Sequence, residues 1–280
     1  MRAATVASVA VAALLITIKL AAWLLTGSVV LLSSLIDSTL DAAASLVNLF
    51  AVHQATRPAD REHRFGHGKA EPLAGMGQTL LIGASATLLL FEAVPRLFAP
   101  QPVSQPGIGV AVMVVSMALT VGLVWFQRRV VARTGSLAVD ADSLHYLSDL
   151  LMNASVILAL VLTHYLGWYV LDPLFAIGIA VYVLYTALQI AKRSIDVLMD
   201  RELPDAERER IEAICRQHPD VRGVHDMRTR RAGATRFIQL HLELDGGQPL
   251  RDAHQVAVAV AAEIRQAFPE AEVIIHQDPV

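Results

Sequence analysis

Apolar and polar positions fall into two regimes along this chain. Six apolar runs, at about 3–25, 30–54, 73–98, 107–131, 141–165 and 171–194, are each roughly 20 residues or longer. At about 1.5 Å of rise per residue, such runs span a hydrocarbon core near 30 Å thick. They predict six transmembrane helices. From about Asp200 acidic and basic residues interleave and the periods shorten. LPDAERERIEAICRQHP opens on Pro204 with Asp205 and Glu207 in its first turn, which suits a helix N-terminus. VHDMRTRRAG and TRFIQLHLELD alternate with period two around Gly233, as a hairpin does. LRDAHQVAVAVAAEIRQAFP reads as a second amphipathic helix and AEVIIHQDP as a last strand. The order αββαβ predicts a small sheet with its helices on one face. The expected architecture is a membrane all-α six-helix bundle over 1–199 followed by a small α+β domain over 200–280.

Lys and Arg then orient the bundle. Arg57, Arg61, Arg64 and Lys69 follow the second run, Arg128, Arg129 and Arg133 end the fourth, and Lys192, Arg193 and Arg201 lie at the end of the sixth. The connections near 26–28, 100–106 and 166–169 carry none. Basic residues favour the cytoplasmic side, so both termini and the terminal domain are expected there, in a multi-pass protein of the inner membrane. The opening segment has the basic start of a signal peptide, but its apolar stretch is long, contains Lys19 and runs into further spans. An uncleaved first helix is the expectation.

Composition agrees with this picture and removes some functions. The 280 residues are 54% hydrophobic and 18% charged, and the mean hydropathy is +0.48, outside the range of an ordinary soluble domain. A net charge of -3, with no basic run interleaved with aromatics, excludes a nucleic-acid partner. Cys215 stands alone, so no intrachain disulfide and no cysteine-rich zinc site can form, and a small buried apolar role suits it.

Charge inside the apolar runs needs a reason, because a carboxylate at bilayer depth costs about 2.5–3.5 kcal/mol on insertion scales. Asp37 and Asp41 are four apart, on one face of the second helix. His145 and Asp149 repeat that spacing in the fifth. If the two faces meet, three carboxylates and an imidazole make a four-ligand site suited to Zn2+ and similar divalent ions. Either pair alone could instead serve helix packing through Ser38, Ser45, Asn48 or Asn153. In the connection TRPADREHRFGHGKAEP, Asp60, His63 and His67 lie within eight residues and could bind metal, although exposed groups in a charged loop are commonly just solvated. The terminal domain adds His225, His241, His254, His276 and Asp278, nearly all on or beside its strands.

These residues resemble the cation diffusion facilitators, above all their bacterial ferrous-iron and zinc efflux pumps. The motifs are DSTLD at 37–41, FGHGKAE at 65–71, HYLSD at 145–149, HDMRT at 225–229, TRFIQLHL at 235–242 and IIHQDP at 274–279, and the likeness extends over nearly the whole chain. The resemblance implies a homodimer of six-helix protomers, each with a metallochaperone-like cytoplasmic domain, exchanging a divalent metal for protons. It implies a transport site of Asp37, Asp41, His145 and Asp149, and a loop site of Asp60, His63 and His67. It also implies a two-metal site of His225, His241, His276 and Asp278, with His254 also matching, and a salt bridge between Lys69 and Asp200.

The expected function is proton-coupled efflux of Zn2+, with Cd2+, Fe2+ and Mn2+ as further substrates, Zn2+ also acting as a regulatory ligand and no organic cofactor. It is not expected to be an enzyme. Two alternatives come from other classes. A membrane metalloenzyme would use an open metal position to activate water, but no separate general base accompanies the two pairs. A membrane-anchored metal sensor would use the helices only as anchors.

Overall fold

The computed structural model describes residues 1–26, 29–98, 107–166 and 170–280. The connections free of Lys and Arg therefore lie almost wholly outside the described residues. Six long helices come first: α1 (Arg2–Thr26), α2 (Val29–Ala55), α3 (Ala70–Phe98), α4 (Gly107–Thr134), α5 (Leu137–Leu166) and α6 (Leu171–Leu198). The terminal part follows as α7 (Asp205–Gln217), β1 (Gly223–Ala232), β2 (Thr235–Leu244), α8 (Leu250–Ala267) and β3 (Ala271–Pro279), the order expected from the sequence. The chain forms two compact units, one of residues 1–55 with 70–195 and one of residues 56–69 with 196–280.

In the first unit α1 packs on α2 and α4, α5 on α3 and α4, and α2 on α3 and α5. Small residues make these approaches close. Ala4, Ser8 and Ala12 in α1, Ala86 and Ala93 in α3, Ala141 in α5, and Ala180 and Ala187 in α6 are all buried. Large apolar side chains such as Leu25, Leu88, Phe91 and Trp125 instead point outward, the reverse of a water-soluble bundle and right for a lipid-facing surface. Five of the helices, all but α5, are apolar enough and long enough to cross a membrane by length and composition. The 30 residues of α5 give it the length as well, and what lowers its hydropathy is Asp140, Asp142, His145 and Asp149. The helices continue past several of the apolar runs. α6, for instance, carries Lys192, Arg193 and Asp196 in its last turns, because a helix satisfies its own backbone wherever the hydrocarbon ends.

In the second unit β2 lies at the centre of a three-stranded sheet, antiparallel to β1 and parallel to β3. The parallel pair requires a crossover, which α8 supplies. Both helices cover one face. Ile211 and Cys215 of α7 and Val256, Val260 and Ile264 of α8 enclose Ile238, Leu240, Leu242 and Leu244 of β2. Cys215 is fully buried there, and burial pushes its thiol up to about 11, so it packs as a small apolar residue. The alternate residues of β2 face the other way, and among them are His241 and Glu243.

The connection 56–69 belongs to this second unit. Gly68 lies against the β1–β2 turn so closely that an added Cβ would be 2.5 Å from the Ala232 carbonyl carbon and oxygen. Arg230 stacks over Phe237 at 4.2 Å and over Phe65 at 4.9 Å. Lys69 Nζ is 2.8 Å from Asp200 Oδ1 and also donates to the Leu198 carbonyl at 3.2 Å, while Arg230 reaches the same aspartate at 3.4 Å. Asp200 adopts φ 58, a left-handed position that ends α6 with the Arg201 amide donating to the Asp196 carbonyl.

Candidate metal centres

Among the described residues, three clusters offer ligand atoms that lie within 4.8 Å of one another, and each was legible at least in part from the sequence. The first is in the helical unit. Asp41 on α2 and His145 and Asp149 on α5 converge, with His145 Nε2 at 2.8 Å from Asp41 Oδ1 and 3.9 Å from Asp149 Oδ2. The matching i, i+4 spacing puts His145 and Asp149 one turn apart, which is why a single carboxylate from α2 can meet both. A cleft lined by Ile82, Ser85, His145, Asp149, Met152 and Val183 opens beside them. Asp37 lies one turn along α2, exposed and outside the group of three.

A second feature of this unit was not singled out from the sequence. Asp142, one turn before His145 and 1% exposed, accepts hydrogen bonds from Ser8 Oγ at 2.6 Å, Gln127 Nε2 at 2.7 Å, Gln78 Nε2 at 3.2 Å and Ser45 Oγ at 3.4 Å. Asn48 continues the network by donating to Gln78 Oε1 at 2.5 Å and to the Ala138 carbonyl at 3.0 Å. Five helices are thus joined through one carboxylate that neutral donors hold. The signal available was the spacing of Asp142, Tyr146 and Asp149 down one face of α5. Its partners on α1 and α4 are ordinary in sequence and give no such signal.

The second cluster is in the 56–69 connection. Asp60 Oδ1 accepts the backbone N–H of His63 at 2.7 Å and of Glu62 at 3.0 Å, which folds the loop into a tight turn. Both imidazoles then face the carboxylate, with His67 Nε2 at 3.3 Å and His63 Nδ1 at 3.5 Å, and their ring centroids are 4.6 Å apart. The His63 amide, with that of Glu62 and the nearby imidazoles, holds the Asp60 carboxyl below its ordinary range despite some opposing desolvation. It is therefore a charged ligand at neutral pH. One carboxylate and two imidazoles make a donor set that suits a borderline divalent ion, while the other ring nitrogen of His67, Nδ1, is buried without a hydrogen-bond partner among the described residues.

The third cluster shows what strand register does. His225 pairs with His241 across β1 and β2, and His241 pairs with His276 across β2 and β3, so three imidazoles form a row on the face opposite the helices. Asp278, two residues beyond His276 on the same face, receives all of them: His241 Nδ1 at 2.9 Å, His225 Nε2 at 3.1 Å and His276 Nε2 at 3.1 Å. The hydrogen bond from His241 is the main cause that lowers the Asp278 carboxyl. The tight group of three is His225, His241 and Asp278, and His276 joins through the other carboxylate oxygen. A register shift between His225 and Arg228, with Asp226 at φ 46, turns Asp226 to within 3.8 Å of His241 Nε2. Glu243 is 3.2 Å from His225 Nδ1. Neither acid was expected at the site. His254 is exposed on α8 and belongs to none of the three clusters among the described residues.

Comparisons with known proteins find matches in both parts of the chain. A model of the cation efflux transmembrane domain matches residues 5–199, and one of the cation efflux protein cytoplasmic domain matches residues 203–280. The cation-efflux pump FieF of Shewanella oneidensis is 53% identical over 274 residues, covering 98% of this chain and 92% of that protein. FieF of Salmonella choleraesuis is 49% identical over 276 residues, covering 99% and 92%. Among solved structures, the metal-bound C-terminal domain of the CzcD transporter from Thermotoga maritima is 32% identical, covers 26% of this chain and 87% of that one, and has a TM-score of 0.26. With both parts of the chain matched and full-length relatives of a single kind, the chain belongs to the cation efflux, or cation diffusion facilitator, family of multi-pass membrane transporters.

Proposed function

We propose that this protein exports Zn2+, with Cd2+, Fe2+ and Mn2+ as further substrates, in exchange for protons by alternating access. The observation that carries the reading is the meeting of Asp41, His145 and Asp149 from two different helices of a membrane bundle. Charged and titratable groups inside such a bundle are costly unless they face a path, and two helices that carry them to one point define where the path narrows. Asp37, one turn from Asp41, completes a set of three carboxylates and one imidazole that accepts divalent ions of moderate hardness. An imidazole binds metal only when neutral, so a proton and the metal compete for the same nitrogen of His145. That competition supports coupling.

In this reading residues 1–199 carry transport, while residues 200–280 bind regulatory Zn2+ through His225, His241, His276 and Asp278 and pair the protomers into a homodimer. His254 is a further candidate ligand. The loop group of Asp60, His63 and His67 captures metal on the cytoplasmic side. Both termini lie in the cytoplasm and the protein sits in the inner membrane. The relatives are called cation-efflux pumps, which supports export over anchoring or hydrolysis. The test is uptake into proteoliposomes with Zn2+ on one side and a controlled pH gradient across the membrane. Zinc accumulation with matching proton release is expected. Zinc binding without movement of either ion would overturn the reading in favour of a sensor.

A further inference from the structure

Lys19 has no part in the ligand set, yet its position demands an account. It lies within a span of mean hydropathy 2.2, seven residues before the end of α1. A lysine so placed ordinarily extends its stem toward the membrane surface and keeps its charge in water. Here the ammonium turns sideways to α2 instead, donating to Ser38 Oγ at 2.6 Å and to the Ser34 carbonyl at 3.1 Å. Both acceptors are neutral, so the positive charge is held in place without being cancelled by them. Ser38 is 2% exposed, follows Asp37 directly and lies one turn before Asp41. The carboxylates whose charge Lys19 feels most are Asp41, Asp149 and Asp37, the three acids of the proposed transport set.

We infer that Lys19 is the fixed counter-cation of the membrane metal site, an inference that rests on the transport reading of that site. Three ionised carboxylates and one ammonium leave two net negative charges. A divalent ion neutralises them, a monovalent ion falls short and a trivalent ion overshoots. The ammonium also repels the bound ion. A site of three carboxylates in a low-dielectric bundle would otherwise hold a divalent metal too tightly to release it, and a transporter must release. Lys19 therefore trades affinity for turnover and biases the site toward a charge of two. Ser38 and the Ser34 carbonyl keep the ammonium beside the acids while leaving the acids free for metal.

The distinguishing result runs opposite to that of a merely structural residue. In full-length protein whose loop and soluble-domain clusters have been disabled by His63→Ala, His67→Ala, His225→Ala and His241→Ala, Zn2+ itself is the probe. Lys19→Gln should tighten Zn2+ binding by at least about tenfold, because one repelling charge has gone, and should slow proteoliposome turnover by a comparable factor. Equal or weaker Zn2+ binding in Lys19→Gln would overturn the inference. Should Lys19→Gln fail to assemble, Lys19→Cys in a Cys215→Ser background carries the same test. Modification with an aminoethyl thiosulfonate restores a cation and should return the wild-type affinity, whereas a neutral methyl adduct should not. Identical behaviour of the two adducts also overturns it. Asp41→Ala in the same background separates the two readings. If Zn2+ binding survives that change, the membrane site itself is wrong; if binding is lost there yet unaltered in Lys19→Gln, only the role of Lys19 is.

Discussion

The membrane cluster and the soluble-domain cluster differ in donor chemistry and in how they are built. Asp41, His145 and Asp149 offer two carboxylates and one imidazole on two helices, partly buried in an apolar bundle. His225, His241, His276 and Asp278 offer three imidazoles around one carboxylate on an exposed sheet face. Oxygen donors discriminate weakly among divalent metals and suit a site that must both take and give up its ion, whereas an imidazole-rich set favours zinc-like ions and suits retention. In the proposed function the first site serves passage and the second serves sensing.

The comparison can be broken most severely at the first cluster. Removing a metal's outer-shell partner commonly costs about 10–100-fold in affinity, so losing the ligand itself in Asp41→Ala should reduce transport by at least about 100-fold. The soluble cluster should still bind Zn2+ at its normal affinity. Vesicle uptake together with titration of the full-length protein checks both halves, and equal damage at both clusters would show that they are not separable sites.

A smaller effect is expected at the soluble-domain cluster. His241 is central, because it pairs with both other histidines in register and makes the shortest contact with Asp278. His241→Ala should weaken zinc binding there by about 10–100-fold and lower transport several-fold without abolishing it. The pH dependence sharpens this. Asp278 is held below the ordinary carboxylate range, chiefly by the hydrogen bond from His241, so it stays ionised to lower pH than an ordinary aspartate and His241→Ala should bring it back up toward that range. Following the Asp278 carboxyl by NMR in the two proteins should show the higher titration midpoint in His241→Ala.

The way each cluster is built also decides how much could be read beforehand. His145 with Asp149, and Asp37 with Asp41, are local pairs on single helices, and a spacing of four announces a shared face. The meeting of the two faces needed only the expectation that charge in a bundle points inward. The histidine row is different, because its ligands come from three strands and depend on the pairing of His225 with His241 and of His241 with His276. No one-dimensional pattern carries that register, so the residues could be named as candidates but not assembled, and Asp226 and Glu243 were missed. The Asp142 network was equally hidden, since it draws Ser8, Gln78 and Gln127 from three other helices. The existence and order of the helices and strands, by contrast, followed from apolar runs of about 20 residues and from periods of 3.6 and 2, although several helices run past the stretch that announced them.

The loop cluster tests whether a connection can be as well organised as a sheet. Gly68→Ala would put a Cβ at 2.5 Å from the Ala232 backbone, and only movement of the connection can relieve that contact. Overpacking of this kind costs about 1–3 kcal/mol. Backbone hydrogen exchange across 56–69 should rise, and metal binding at Asp60, His63 and His67 should weaken several-fold, with the membrane cluster unaffected. Unchanged exchange would mean that the connection does not depend on this close approach.

The smallest effect concerns Lys69 and Asp200, the expected ion pair, which the structure contains at 2.8 Å. The side chains are 38% and 43% exposed, so screening keeps the pair to about 0–1 kcal/mol. Burial alone would raise the Asp200 carboxyl, but the hydrogen bond and charge of Lys69, with Arg230 behind it, bring the carboxyl below its ordinary range. The sign of the pH dependence follows. A carboxyl whose folded-state pKa is depressed contributes stability that is fully present above its unfolded value, near 3.9, and is lost as pH falls through the folded one. Lys69→Ala should therefore raise hydrogen exchange at the 56–69 connection and the end of α6 slightly at neutral pH, by less than about fivefold. The difference from the wild type should shrink to nothing once acid protonates Asp200 in both proteins. A difference that persists once Asp200 is protonated in both proteins would show that Lys69 acts through its hydrogen bond to the Leu198 carbonyl, which does not titrate, and not through the ion pair.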